Sequence, residues 1–177
     1  MADERVIYLM KGTLVGLSAG FIVSLFRLGI EFILETVIEG YHFMQEQPIW
    51  LIPWVIFSVT AALIVGKLVK SEPNIKGSGI PQVEGQVQGL ISLNWWPVLW
   101  KKFIGGLLAI GSGLFLGREG PSIQLGSAVG QGISYLTKGD DVEEKILLSS
   151  GAGAGVAAAF NAPLAGLMFV LEEVHHN

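Results

Sequence analysis

The sequence contains no cysteine, which removes disulfides, thiolate chemistry and zinc-finger-type metal sites from consideration. It is also poor in charge. Lys, Arg, Asp and Glu together make up 15% of the 177 residues, against about 25% in ordinary soluble domains. Histidine is scarce, with three in all. Two of them, His175 and His176, are adjacent, so they fall about 100° apart on a helix and cannot form a metal pair. The formal net charge of −4 leaves no basic footprint for nucleic acid. What remains is apolar: 51% of residues are hydrophobic and 24 are glycine, the composition of a membrane protein. The opening "MADERVIYLMKG" lacks the pattern of a cleavable signal, so the first helix is expected to be retained.

Charge-free runs mark the expected spans. The run 47–66 is one of them. Residues 12–26 form another, whose helical pattern continues past Arg27, Glu31 and Glu35. These three are four apart and share one helix face, turned to protein or to the interface. The stretch "EGYHFMQEQ" (39–47) reads as a loop. Later segments (103–117, 120–137 and 146–171) are apolar but thick with glycine, and Gly151, Gly153, Gly155 and Pro163 are expected to interrupt the last. Short hydrophobic segments broken by glycine and proline point to discontinuous helices around a midplane site. "TKGDDVEEK" (137–145) is a polar connection. Arg5 and Lys11 precede the first helix, and Lys67, Lys70 and Lys76 follow the second span. The positive-inside rule therefore puts the N-terminus and the 67–76 loop in the cytoplasm. The five tryptophans (Trp50, Trp54, Trp95, Trp96, Trp100) read as interface anchors.

Three segments share one grammar, in which small or polar residues lead into proline and then an apolar helix. They are "KGSGIPQVEG" (76–85), "GREGPSIQLG" (117–126) and "FNAPLAG" (160–166). Proline suits a helix's first turn and glycine permits the sharp entry, so each is a candidate helix N-terminus. Such an end offers unpaired N–H groups and the positive pole of the dipole, which together bind anions. Two or three ends aimed at one point would hold an anion without a full positive charge, weakly enough to let it leave. Ser78 adds a hydroxyl donor to one end, unless it is simply an N-cap. Glu119 adds a carboxylate to another; it imitates an anion and, once protonated, can swing aside. Arg118 reads as an anchor or field-shaping charge, because neighbours at a helix start diverge and would not neutralise each other well. Glu172 reads as a boundary acid. "GLSAG" (16–20) and "GAGAG" (151–155) match hydrolase and dinucleotide fingerprints, but the strands those need are missing; close helix packing explains both. Transport, not catalysis, is the expected role.

"GSGIPQVEG", "GREGPSIQLG" and "GAGAGVAAAFNAPLAGLMFVLEE" closely resemble, in order, the three signature segments of the CLC family of chloride channels and chloride/proton antiporters. The step of forty-one residues from Ser78 to Glu119 also resembles prokaryotic members, and the likeness extends from the first helix to Glu173. The resemblance implies an all-α, polytopic membrane fold with re-entrant helices. It implies that residues 1–177 are the N-terminal half of a CLC-type transport domain, the first of two inverted repeats. It further implies an anion site at Ser78, Gly79, Ile80, Gly117, Arg118, Glu119 and Gly120, with Ser78 meeting the central chloride from the cytoplasmic side. Glu119 resembles the external gate and proton carrier, and Glu173 the internal proton-transfer glutamate of the antiporters. A serine in "GSGIP" resembles the chloride-selective members. The expected function is chloride/proton antiport, the alternative a passive voltage- or proton-gated chloride channel, and a third reading is a scaffold that inherited the motifs. Expected partners are chloride, protons and the bilayer, with a homodimer in the complete protein, no nucleic acid and no cofactor. The expected location is the cell membrane.

Overall fold

A computed structural model describes the backbone of residues 2–174 and the side chains of residues 6–172; His175 and His176 lie outside the described residues. The first 47 residues contain no proline, and helix runs through nearly all of them. The first helix, α1 (Ala2–Glu46), has 45 residues, which at 1.5 Å per residue is about 67 Å, roughly twice the thickness of bilayer hydrocarbon. The stretch 39–47, expected to be a loop, is therefore helix as far as Glu46. The cause is local: a lone Gly40 costs a helix only about 1 kcal/mol. The first strong breaker is Pro48, which opens a 3-10 turn, Pro48–Trp50. α2 (Leu51–Ser71) follows. With that turn it forms 24 residues, whose most apolar 18-residue window has a mean hydropathy of 2.2, the one stretch among the described residues long and apolar enough to cross a membrane. Its Ile52, Ile56, Val59 and Leu63 are exposed, an arrangement suited to hydrocarbon and not to water.

The remaining helices are short or broken. A 3-10 turn, Pro73–Ile75, leads into α3 (Ile80–Val87). Then come α4 (Trp95–Gly111), α5 (Glu119–Leu136), α6 (Asp141–Phe160) and α7 (Pro163–Phe169), which runs on into a π-helical turn, Val170–Val174. Side chains cap two of these starts. Asn94 accepts from the Trp96 N–H at 3.2 Å, and Asp140 accepts from the Glu143 N–H at 2.8 Å. The three proline-bearing segments each begin a helix, at Ile80, Glu119 and Pro163.

α5 forms the centre, with fourteen of its eighteen residues buried. Glycine lets α6 lie directly against it. A Cβ built on Gly126 would fall 2.1 Å from the Gly151 carbonyl oxygen, and one on Gly130 would fall 2.0 Å from that of Leu147. Gly155 is shut in likewise by the Ser122 carbonyl at 2.3 Å. Gly151, Gly153 and Gly155, expected as interruptions, therefore lie within an unbroken α6 and serve as a contact seam. The break falls at Asn161, in the left-handed region at φ 53°, ahead of Pro163. "GLSAG" differs: nothing lies within 4 Å of a Cβ on Gly16 or Gly20, so the close packing expected there is not made within this chain. α1 joins the core elsewhere, through Val23, Phe26 and Ile30 packed with Ile110, Leu125 and Ala159. An ion pair between Lys11 and Glu143 fixes the start of α1 to the start of α6.

Candidate functional site

Two glycines with positive φ, Gly77 at 71° and Gly79 at 93°, bend the chain sharply on either side of Ser78. Gly79 cannot be replaced without strain: besides its φ, a Cβ there would lie 2.5 Å from Oε1 of Gln124. Buried Gln124, on α5, donates from Nε2 to the Asn74 carbonyl at 2.8 Å. On the other side Lys102 of α4, only 4% exposed, donates from Nζ to the carbonyls of Ile75 at 2.9 Å and Gly77 at 2.8 Å. The turn carrying Ser78 is thus held between α4 and α5. Gly79, not Ser78, is the N-cap of α3. The Ser78 hydroxyl accepts from the Ile80 N–H at 3.4 Å, beyond the usual 2.7–3.2 Å, so it is a poor cap whose O–H remains available to donate.

The start of α5 is as bare of partners. The Ser122 N–H reaches the Arg118 carbonyl at 3.1 Å and Pro121 has no N–H, so the amides of Glu119 and Gly120 have no helical acceptor. In α3, the Val83 N–H bonds the Gly79 carbonyl at 3.1 Å and Pro81 has none, leaving those of Ile80 and Gln82. The two ends meet. A Cβ on Gly120 would lie 2.6 Å from the Cβ of Ser78 and 2.8 Å from its carbonyl oxygen. They open on one cavity of about 560 Å³.

Of the residues expected to act together, Ser78, Ile80, Gly117, Glu119 and Gly120 line this cavity; Gly79 and Arg118 do not. Gly79 makes the turn that presents Ser78. Arg118 faces α1, where its Nη1 donates to Oε1 of Glu31 at 2.9 Å, and Arg27 donates from Nε to the same oxygen at 3.0 Å. Arg118 therefore has a carboxylate partner other than Glu119. Glu35, expected on the same face, makes no ion pair among the described residues. The Glu119 carboxylate folds back over Gly117, with Oε2 only 2.5 Å from where a Cβ would stand. The third helix start, at Pro163, is not part of the cavity wall. Its α7 instead packs on α6, with Gly166 against the Gly153 carbonyl. The backbone of Glu173 belongs to the turn after α7, while its side chain lies outside the described residues. Glu172 is exposed.

Two lysines that sequence reasoning passed over, Lys101 and Lys102, also line the cavity together with Lys76, which was read only as a sign of orientation; Glu119 is the one acid there among the described residues. The anion field of the site is therefore not made by peptide dipoles alone. One signal pointed to Lys102: an ionisable residue inside an apolar segment, "VLWKKFIGG", is a functional candidate by default. Gln124 gave no comparable signal, because its role depends on a turn fifty residues away.

Comparison with known proteins gives three concordant findings. The family model described as "Voltage gated chloride channel" matches residues 59–177. The H(+)/Cl(-) exchange transporter ClcA of Vibrio parahaemolyticus is 42% identical over 170 residues, covering 94% of this chain and 36% of that protein. The ClcA of Cronobacter sakazakii is 38% identical over 177 residues, covering 96% of this chain and 38% of that one. Among solved structures, a slow cyanobacterial Cl-/H+ antiporter superposes with a TM-score of 0.88 at 36% identity, covering 95% of this chain and 40% of that chain. The chain thus spans a little over a third of the length of these curated relatives.

Proposed function

The chain belongs to the voltage-gated chloride channel family, and from that premise we propose that it forms the first inverted repeat of a membrane transport domain exchanging chloride for protons. One observation carries the reading: the amide-rich starts of α3 and α5 touch at Ser78 and Gly120 over a shared cavity, where Glu119 is the one lining acid among the described residues. Chloride held there would accept from the Ser78 hydroxyl, from the amides of Glu119 and Gly120, which have no helical acceptor, and from that of Ile80, which is engaged only by a long 3.4 Å bond to the Ser78 hydroxyl. Each helix end adds about half a positive charge. The Lys102 ammonium, 4% exposed, adds a full charge in surroundings that screen it little. Pro81 and Pro121 strip away amides that would otherwise donate, leaving a sparse set from which the ion can depart.

Glu119 stands where an anion would stand. Ionised, its carboxylate competes with chloride for the α5 amides; protonated, it loses that attraction and moves out with its proton. Such a side chain links the two fluxes, and Glu173 would pass the proton on at the inner face. The names of the relatives, all exchange transporters, and the presence of Glu173 both support exchange over passive conduction. The rest of the proposal follows the family plan. A second inverted repeat would supply the remaining donors, with homodimers in the cell membrane and the N-terminus cytoplasmic. That orientation puts Arg5, Lys11, Lys67, Lys70 and Lys76 on the inner side.

The test is a reversal potential. In liposomes holding the complete protein, a pH gradient at fixed chloride is expected to shift the reversal potential away from the chloride value. Glu173→Gln should return it to the chloride value while chloride still flows. A wild-type potential blind to pH would identify a passive channel. Lys102→Met should raise the chloride concentration for half-maximal flux about tenfold, the equivalent of one charge-assisted contact. An unchanged concentration dependence would show that Lys102 only braces the Ser78 turn.

A further inference from the structure

The residue before the gate is a fully charged arginine, and the structure shows what occupies it. Arg118 is the N-cap of α5, adjacent to Glu119. Its guanidinium reaches across to α1 and meets Glu31, eighty-seven residues earlier in the chain. Arg27, one turn before Glu31, meets the same carboxylate oxygen. Two guanidiniums therefore share one carboxylate, and one of them belongs to the residue between Gly117 and Glu119, both of which line the cavity.

We propose that Glu31 is a positioning residue for the gate: its carboxylate holds the Arg118 guanidinium against α1 and so keeps it off the Glu119 carboxylate. The inference rests on Glu119 acting as the gate. Arginine carries its charge at any working pH and pairs readily with carboxylates in a two-pronged geometry. With Glu31 gone, the one acid among the described residues that lines the adjacent cavity is Glu119. A long side chain on the neighbouring residue can swing to it, although the two diverge at the helix start. A carboxylate bonded to Arg118 is neutralised without carrying a proton. It then neither yields its place to chloride nor ferries a proton, and exchange slows. The other charges around Glu119 do not substitute for Glu31. Lys76, Lys101 and Lys102 line the same cavity, are cationic, and would add to the pull on Glu119.

The exposure of the pair separates this role from simple bracing. The Arg118 and Glu31 side chains are 36% and 40% exposed, so their ion pair contributes little to stability. Replacing Glu31 is expected to leave the protein folded.

The experiment measures chloride and proton flux in liposomes holding the complete protein. Glu31→Gln should slow chloride exchange about tenfold, the equivalent of one charge-assisted bond gained by Glu119. Glu31→Asp should recover much of that loss. Adding Arg118→Gln to Glu31→Gln should speed exchange again, because the freed guanidinium is then absent. In a Glu119→Gln background, Glu31→Gln should have no further effect. A tenfold loss that persists in that background, or survives removal of Arg118, would mean that Glu31 merely braces the fold. Parental rates in Glu31→Gln would also overturn the proposal. Should Glu31→Gln not yield folded protein, Glu31→Asp with and without Arg118→Gln still decides it, and a Glu31→Asp rate equal to the parent's counts against the clamp. A slowed Glu31→Asp rescued by Arg118→Gln supports the clamp, and one not rescued refutes it. Persistent proton coupling in Glu119→Gln alone would instead remove the gate itself, a separate outcome.

Discussion

Glutamine in place of Glu119 is expected to abolish proton movement in the complete protein while chloride flux stays level or rises a few-fold. That result is expected from what the side chain does at its position. Glu119 begins α5, beside amides with no helical acceptor, and lies against the same cavity as Ser78. A negative charge there faces the positive pole of the helix and amides free to donate. Glutamine keeps the size but has neither the negative charge to compete with chloride nor a proton to carry at neutral pH. The anion path is left open and the proton path is cut. Parallel recordings of chloride efflux and external pH from liposomes would check this. Proton uptake continuing in step with chloride would show that coupling resides in another residue. Loss of both fluxes would show that the side chain is structural.

The second large effect concerns the seam beneath the site. Gly130→Ala places a methyl group 2.0 Å from the Leu147 carbonyl oxygen and 2.6 Å from its carbon. Both are backbone atoms of a packed helix, so neither can turn aside as a flexible side chain would. α5 and α6 must separate, and α5 carries both Glu119 and Gln124. A cost of about 3 kcal/mol or more is expected, at the upper end for overpacking, seen as a sharply lower melting temperature in detergent or as loss of monodisperse protein. Gly16→Ala is the control. Nothing lies within 4 Å of its added carbon, and alanine favours helix by up to about 1 kcal/mol, so the melting temperature should hold or rise. Equal damage from both would point to general helix flexibility and away from the α5–α6 contact.

These two glycines show why the site was only partly legible. Glycine next to proline marks a helix start because the constraint is local: a fixed φ and a missing amide act on the residue that bears them. The starts at Ile80, Glu119 and Pro163 were readable for that reason. Glycine within a helix carries no such mark, since a break and a close contact require the same absence of a side chain. Gly151, Gly153 and Gly155 therefore read both as interruptions and as close helix packing, and carbonyls on α5 and α7 decide for the packing. The 39–47 stretch misled for a related reason. It is polar enough for a loop, yet nothing in it stops a helix before Pro48.

By itself the sequence determined that this chain lives in a membrane, that its helices are discontinuous, where three of them begin, and which acid sits at the start of α5. All follow from composition or from neighbours within a few residues. Only the tertiary structure decided that the starts of α3 and α5 meet over one cavity while that of α7 stands apart. It alone gave Arg118 to Glu31, and set Lys102 and Gln124 behind the Ser78 turn. Those relations join residues 25 to 87 positions apart. Packing brings such residues together, and no local preference of the backbone encodes it.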